Sequence, residues 1–242
     1  MIIPLEIIDL SKTYDSKEAV RNISFKVDKN EIIGILGPNG CGKTTTIGMI
    51  LGLLKPTAGK VLINGVEIEK QRVELLNELN FISPYIELPK KLTVKQNLEV
   101  YGRLYDVNEL QIKIDYLSEK LRLNEFINKI TGELSSGQKN RVSLAKSIIN
   151  DPSVLLLDEP TASLDPETGD FVRSFLEEYQ KEKKTSILLA SHNMSEVERL
   201  CSSVLMMNKG SIIDQGTPAQ LIEKHGRRNM EEVFLKLTRD LI

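Results

Sequence analysis

Short runs of aliphatic and β-branched residues recur along the chain, and stretches with a helical apolar period separate them. Such runs, bounded by turn residues, predict buried strands. Because strand and helix patterns alternate, the sequence predicts an α/β fold. The predicted strands are Leu5–Leu10, Val20–Val27, Glu31–Leu36, Lys60–Ile63, Asn80–Ser83, Val154–Leu157, Thr185–Ala190, Val204–Met207 and Ser211–Asp214.

The strand pattern disappears between Pro84 and Asn150, which predicts a helical subdomain over residues 84–150. This subdomain would be inserted into a core formed by residues 1–83 and 151–228. Residues 229–242 predict a C-terminal helix. We therefore expect one domain with an inserted subdomain, whose helices are Val94–Tyr105, Glu109–Arg122 and Gln138–Ile149.

Charge and cysteine usage narrow the function classes. The net charge of −2 and the pI near 5.9 provide no basic field, so no nucleic-acid partner is expected. Cys41 and Cys201 lie far apart in sequence, which favours a reducing compartment such as the cytoplasm. No apolar run approaches the roughly 18 residues of a membrane-spanning helix. At a membrane, another polypeptide would have to cross it.

The segment from Gly37 to Thr44 matches in full the phosphate-loop pattern GxxxxGK followed by Ser or Thr. It follows the apolar run Ile32–Leu36 and precedes the predicted helix Thr45–Leu54, which is the strand–loop–helix context that the motif requires. Backbone N–H groups and the helix N-terminus would bind phosphate there. A glycine-rich turn beside a lysine is the alternative. The predicted nucleotide-binding residues are Gly37, Pro38, Asn39, Gly40, Cys41, Gly42, Lys43, Thr44 and Thr45.

Two adjacent carboxylates, Asp158 and Glu159, end the predicted strand Val154–Leu157. Neighbouring strand residues point to opposite faces, so the two need not share a role. Asp158 and the Thr44 hydroxyl suit the coordination of Mg²⁺, and Glu159 suits a general base that polarises water. A strand followed by a charged turn is the alternative, which the phosphate loop makes less convincing.

The segment Leu134–Gln138, which reads Leu-Ser-Ser-Gly-Gln, resembles the signature sequence of ATP-binding cassette (ABC) proteins. Asp165 resembles the family's D-loop aspartate, His192 its switch histidine and Tyr14 the aromatic that stacks on adenine. These motifs occur in the family's order from residue 14 to residue 192. The resemblance therefore covers essentially the whole chain.

This resemblance implies an α/β P-loop NTPase core with an antiparallel β portion and an inserted helical subdomain. It implies an ATP hydrolase in which Glu159, His192 and Lys43 are catalytic and ATP and Mg²⁺ are bound. ATP would be sandwiched between two cassettes, which separate after hydrolysis because the γ-phosphate charge is lost. Whether the second cassette is identical stays open. The signature residues toward the partner's ATP are Ser135, Ser136, Gly137 and Gln138.

Without this context, His192 would be a structural histidine and Tyr14 a core or rim aromatic. The C-terminal stretch and the run after Ser191 resemble subunits of the drug, lipid and ion exporter subgroup. The resemblance thus implies a transmembrane permease as partner, a place at the cytoplasmic face of the membrane, and export. Residues 86–97 are a candidate docking surface for that permease, with a solvated lead-in to a helix as the alternative.

Two positions depart from the family pattern. No glutamine follows the strand Asn80–Ser83, where the family has one that contacts Mg²⁺ and water; Ser83 or a nearby carbonyl is expected to replace it. Ser136 stands where the signature most often has glycine. A soluble cassette acting on DNA or the ribosome is the rival function. The short insert and the single set of motifs do not favour it.

Overall fold

The computed structural model describes residues 2–84 and 86–239. Within these residues the strands are β1 (Leu5–Tyr14), β2 (Lys17–Val27), β3 (Ile32–Leu36), β4 (Ala58–Ile63), β5 (Val66–Glu67), β6 (Leu79–Ile82), β7 (Val154–Asp158), β8 (Ser186–Ala190), β9 (Ser203–Asn208) and β10 (Ser211–Gly216). The helices are α1 (Lys43–Ile50), α2 (Arg72–Leu75), α3 (Val94–Leu104), α4 (Leu110–Lys120), α5 (Ser136–Ser147), α6 (Pro166–Lys183), α7 (Met194–Leu200), α8 (Pro218–His225) and α9 (Met230–Arg239).

A six-stranded sheet in the order β10–β9–β3–β8–β7–β6 forms the centre of the molecule. Strands β9, β3, β8, β7 and β6 are parallel, and β10 is an antiparallel edge strand. Strands β3, β7 and β8 are buried along their whole length because their apolar sequences serve both faces of the sheet. Parallel strands bring their carboxyl ends to one edge, so the loops after β3, β7 and β8 meet there.

Each face of this sheet packs into a different hydrophobic core, because side chains alternate along a strand. In β7, Val154 and Leu156 join one core, and Leu155 and Leu157 join the other. The first core is shared with α1 and with a four-stranded antiparallel sheet in the order β2–β1–β4–β5. The second core is shared with helices α3 to α9. The predicted α/β core with an antiparallel β portion is thereby confirmed.

Helices α3, α4 and α5 lie in the stretch where the sequence predicts helices. Helix α5 begins at Ser136, so the predicted start at Gln138 is two residues late. The cause is a capping box: the Gln138 N–H donates to Ser135 Oγ (3.3 Å), and the Ser135 N–H donates to Gln138 Oε1 (3.0 Å). This cap starts the helix directly after Ser135.

Two other predicted helices have different bounds in the structure. The helix predicted over Thr45–Leu54 begins at Lys43 and ends at Ile50. Beyond it the N–H groups of Leu53 and Leu54 return to the carbonyl of Gly48 in a turn. Helix α9 is described as far as Arg239, and residues 240–242 of the predicted C-terminal helix lie outside the described residues.

In the part of the chain that the structure describes, no helix combines the length and the apolar character needed to cross a bilayer.

Candidate active site

The phosphate loop connects β3 to α1 at the carboxyl edge of the sheet. Gly40 and Gly42 have φ angles of 78° and 114°, in the left-handed region that favours glycine. A Cβ atom on Gly42 would lie 2.7 Å from the carbonyl oxygen of Ala19, so space as well as conformation requires glycine there. The loop thereby places the positive end of the α1 dipole at an open edge of the protein.

Lys43 folds back over this loop. Its Nζ donates to the carbonyl oxygens of Gly37 (2.6 Å) and Pro38 (3.3 Å), and the side chain is largely buried. These two carbonyls keep the Lys43 ammonium inside the loop, at the place where a phosphate would bind. Cys41 is buried beside it, and burial raises the pKa of its thiol. Its Sγ atom lies 4.0 Å from Lys43 Nζ, inside the loop.

A cavity of about 590 Å³ lies over the loop and contains most of the predicted nucleotide-binding residues. Tyr14 stands on its rim, 44% exposed, with the Lys12 ammonium 5.0 Å from the centre of its ring. The ring is exposed at the cavity rim, and its stacking on adenine stays a prediction. Several lining residues carried no motif that could reveal them from sequence. The cavity is lined by Tyr14, Lys17, Glu18, Ala19, Arg21, Asn39, Gly40, Gly42, Lys43, Thr44, Thr45, Asp158, Glu159, Lys209 and Gly210.

Asp158 and Glu159 both line this cavity, although neighbouring residues of a strand point to opposite faces. Strand β7 ends at Asp158, and Glu159 adopts a left-handed conformation with φ of 53°, which turns it out of the strand alternation. The Glu159 N–H donates to the carbonyl of Ala190 (2.8 Å), the last residue of β8. The turn therefore ties the ends of β7 and β8 together.

Asp158 is buried, and the Ser83 hydroxyl donates to its Oδ2 at 3.4 Å. Burial raises the pKa of Asp158 above its ordinary value, and the neighbouring Glu159 charge raises it further. The Ser83 hydrogen bond and the Lys43 charge oppose this rise. Ser83 thus lies next to the carboxylate that the sequence predicts to bind Mg²⁺. Its role in place of the family's glutamine stays a prediction.

Glu159 meets His192, which follows β8. The Nδ1 atom of His192 lies 2.6 Å from Oε2 of Glu159. The glutamate carboxylate is mostly covered, whereas the histidine side chain is 66% exposed. The sequence placed these two residues 33 positions apart, and the sheet brings them into contact because β7 and β8 are neighbours. A carboxylate held by an imidazole at the edge of a phosphate cavity can accept a proton from water.

A buried carboxylate that the motifs did not reveal lies behind this contact. Glu196 accepts hydrogen bonds from the hydroxyls of Thr161 (2.8 Å) and Ser191 (2.6 Å). Burial raises its pKa, and both hydrogen bonds counteract the rise. One sequence signal was available: Asn193 and Glu196 have the spacing of a helix cap, and the Asn193 side chain accepts from the Glu196 N–H.

The signature residues stand apart from the phosphate cavity. Ser135 and Ser136 are exposed at the N-terminus of α5, and the cavity lining described above includes none of the signature residues. Gly137 packs beside Thr168, where a Cβ atom would lie 3.2 Å from Thr168 Cγ2. The structure therefore presents the signature helix end to the outside.

A contact connects this signature helix to the loop after β7. The Asn140 side chain donates to the carbonyl of Pro160 (2.7 Å), directly after Glu159. Asp165 accepts from the Thr168 N–H (2.9 Å) and caps α6; hydrogen bonds from the Thr168 side chain and from its N–H lower the pKa of Asp165. A second cavity of about 280 Å³ has both Ser136 and Glu159 in its lining. The predicted D-loop aspartate thus forms a cap beside the signature.

The oxygen donors at the phosphate cavity fit a magnesium ion. Mg²⁺ binds one or two protein oxygens and takes its other ligands from water and phosphate. The Thr44 hydroxyl and the Asp158 carboxylate both line the cavity. The donor set predicted from sequence is therefore chemically suited to an ion that arrives with a nucleotide.

Comparison with known proteins identifies the family. The family described as ABC transporter matches residues 20–162. The ABC transporter ATP-binding protein NatA of Bacillus subtilis (strain 168) is 35% identical, with 98% of this chain and 99% of that protein aligned. This chain belongs to the ABC transporter family. It is an ATP-binding, ATP-hydrolysing cassette, and the resemblance noted in the sequence is confirmed.

Other relatives and solved structures agree with this assignment. Nod factor export ATP-binding protein I of Rhizobium johnstonii is 38% identical to this cassette, with 92% of this chain and 72% of that protein aligned. A structure of the ATP binding subunit of an ABC transporter superposes with a TM-score of 0.90 at 27% identity, covering 98% of this chain and 100% of that one. The cbiO1 protein of Clostridium perfringens, part of the ABC transporter complex cbiONQ, gives 0.82 at 30% identity, with 99% and 97% covered.

Proposed function

We propose that this cassette drives export of a substrate through a separate transmembrane permease at the cytoplasmic face of the membrane, by hydrolysing Mg²⁺-bound ATP. The contact of Glu159 with His192 at the edge of the phosphate cavity carries the proposal, because it supplies a base where the γ-phosphate would lie. The names of the Rhizobium relatives support the direction of transport, since they describe Nod factor export.

In the proposed reaction the β- and γ-phosphates lie against the N-terminus of α1, and the Lys43 ammonium exchanges its carbonyl partners for phosphate oxygens. Glu159 accepts the proton of a water that attacks the γ-phosphorus. The bond from that phosphorus to the bridging oxygen breaks, and ADP keeps the electron pair. His192 holds the Glu159 carboxylate toward the water. Thr44 and Asp158 would hold Mg²⁺, which would neutralise charge on the phosphates when bound.

A second cassette completes each site in this proposal. The exposed N-terminus of α5 points N–H groups and the Ser135 hydroxyl outward, a suitable anion site that its own phosphate cavity does not include. Two copies facing each other would each offer the signature to the partner's γ-phosphate. We propose a homodimer that forms on ATP binding and opens after hydrolysis, since loss of the γ-phosphate removes the shared charge.

The permease surface proposed from sequence has to be redrawn in part. The apolar side chains of residues 86–97 include Leu88, Leu92 and Val94, and the structure buries Leu88 and Val94 in the helical core. Apolar side chains that remain at least half exposed nearby are Ile86, Val100 and Leu104. These side chains, together with the exposed Lys90 and Lys91, are the part of this region that can contact a permease.

The experiment that tests the transporter proposal is to tag the chain and isolate it from detergent-solubilised native membranes. Mass spectrometry then identifies the proteins that accompany it in stoichiometric amount. A polytopic membrane protein is the expected result, and it would supply the subunit that selects the substrate. Ribosomal proteins, DNA-repair proteins or an isolated cassette would contradict the transporter role and favour a soluble ABC ATPase.

A further inference from the structure

Glu196 is a fully buried acid in the first turn of α7, outside the motifs described above. Each of its carboxylate oxygens accepts one hydrogen bond from a hydroxyl. Oε1 accepts from Thr161 Oγ1 at 2.8 Å, and Oε2 accepts from Ser191 Oγ at 2.6 Å. A buried carboxylate is retained only where such partners satisfy it.

The two hydroxyls belong to the loops after β7 and β8, which carry Glu159 and His192. Thr161 lies two residues after Glu159, and Ser191 directly precedes His192. One carboxylate therefore bridges the loop after β7 and the loop after β8. Ser191 Oγ also accepts from the Asn193 N–H (3.0 Å). The residues on both sides of His192 are therefore joined through the Ser191 hydroxyl.

Two features of the Glu159–His192 contact call for support by the hydrogen bonds of Glu196, here called the brace. Glu159 has a left-handed backbone, which a non-glycine residue keeps only when its surroundings hold it. The His192 side chain is 66% exposed, so packing does little to fix it and its loop must define its position. The brace through Glu196 adds a side-chain link to the backbone bond between the Glu159 N–H and the Ala190 carbonyl.

We propose that Glu196 is a positioning residue for ATP hydrolysis: its carboxylate joins the loops of Thr161 and Ser191 and so holds Glu159 and His192 in contact. Glu196 lies outside the phosphate loop and is not one of the residues that line the nucleotide cavity. The proposal rests on the function proposed above, in which Glu159 is the base. In this proposal Glu196, buried behind the site, affects the rate of ATP hydrolysis and does not affect ATP binding.

The test compares steady-state ATP hydrolysis by the parent, Glu196→Ala and Glu196→Gln. In the alanine variant kcat is expected to fall about tenfold or more, because small displacements of reacting groups are costly in rate. KM for ATP stays within about twofold, since the phosphate loop is unchanged. Glutamine restores kcat to within about threefold of the parent, because its amide can accept from one hydroxyl and donate to the other.

Two threonine variants separate positioning from general loss of stability. Thr161→Val removes one hydroxyl of the brace and is expected to lower kcat. Thr185→Val is the matched control: its buried hydroxyl donates to the Pro152 carbonyl (3.2 Å) at the opposite end of the loop-bearing strand, and its kcat should not change. Combined with Glu196→Ala, Thr161→Val should add little further loss, because both remove the same contact.

The outcomes distinguish this proposal from the one on which it rests. If the parent hydrolyses ATP and Glu196→Ala has the same kcat, the positioning role is overturned and the proposed function stands. Equal losses in Thr161→Val and Thr185→Val, or a raised KM without rescue by glutamine, would also overturn it. A folded parent that does not hydrolyse ATP would overturn both. Should Glu196→Ala fail to fold, Thr161→Val and Glu196→Gln decide the matter.

Discussion

At the scale of single residues, the site is a set of side chains from distant parts of the sequence whose contacts follow from strand order. Glu159 and His192 touch because β7 and β8 are adjacent, and Ser83 reaches Asp158 because β6 lies on the other side of β7. Each contact links a strand end to the next one. Single substitutions at these positions should therefore lower the rate of ATP hydrolysis more than they lower the stability of the fold.

Glu159→Gln tests the assignment of the base. The amide cannot accept a proton from water, so kcat should fall on the order of 10²-fold or more. ATP binding should persist, because the phosphate loop and Lys43 are unchanged. Phosphate release and equilibrium binding of a fluorescent ATP analogue measure the two effects. The neighbouring Glu167→Gln, at the start of α6, is the control and should hydrolyse at the parent's rate.

Ser83→Ala tests whether this side chain takes the place of the family's glutamine. Loss of its hydrogen bond to Asp158 should raise the Mg²⁺ concentration for half-maximal hydrolysis by roughly fivefold, as a net hydrogen bond of about 1 kcal/mol implies. Titrating Mg²⁺ at saturating ATP gives this value. Ser202→Ala removes a hydroxyl bond at the amino end of β3 and serves as the control. An unchanged rate and unchanged Mg²⁺ dependence for Ser83→Ala would rule out the side-chain role.

At the scale of elements, the strands other than the two-residue β5 were predictable, and the helix ends were less so. Buried parallel strands have continuous apolar sequences, and each predicted strand is present, with β1 and β2 longer than the apolar pattern indicates. Most of their extra residues are polar, since only one face of the four-stranded sheet is covered. Helix α5 started early because Ser135 and Gln138 cap each other, a pattern that sequence contains but apolar spacing does not reveal.

The motif residues could be located from sequence, but their contacts could not. The conformation that turns Glu159 into the cavity depends on the Ala190 carbonyl, which belongs to another strand. Glu196 carried no motif, and its partners lie 35 and 5 residues away on two loops. The tertiary fold decides which residues are buried and which partners they contact. A local sequence pattern does not contain this information.

One element-scale prediction concerns Lys146 of α5, which is partly buried between Tyr101 of α3 and Phe81 of β6. Its ammonium lies 5.1 Å from the ring centre of Tyr101 and 5.8 Å from that of Phe81, and it donates to Asn80 Oδ1 at 3.4 Å. Burial lowers its pKa from 10.5 to about 8. The buried charge therefore reduces stability at neutral pH, by about 3 kcal/mol before the ring contacts offset part of it.

The sign of the pH dependence follows from that lowered pKa. Above about pH 8 the folded protein releases the proton while the unfolded chain keeps it up to about pH 10.5, so the cost of the buried charge disappears. The free energy of unfolding of the parent, relative to Lys146→Met, should rise by roughly 1 kcal/mol from about pH 7 to about pH 9. Urea unfolding measures it. The exposed Lys181→Met should show no such trend, and a difference independent of pH for Lys146→Met would contradict the assignment.

At the scale of the whole molecule, the two anion-binding helix ends face different surroundings. The N-terminus of α1 lies in the phosphate cavity, whereas that of α5 is exposed at the signature. A single chain therefore offers two half-sites, and two chains related by a twofold axis would complete both. In the proposed homodimer the nucleotide would therefore lie in the interface.

Light scattering during size-exclusion chromatography of Glu159→Gln, with and without Mg²⁺-ATP, tests this central claim most directly, because the variant should bind ATP without consuming it. We predict a particle of twice the 27.3 kDa chain mass with ATP, and the monomer without nucleotide or with ADP. In the same background, Ser136→Glu should remain monomeric because its charge repels the partner's γ-phosphate, whereas Ser136→Ala should dimerise. A monomer at saturating ATP, or a dimer that forms equally without nucleotide, would contradict the account.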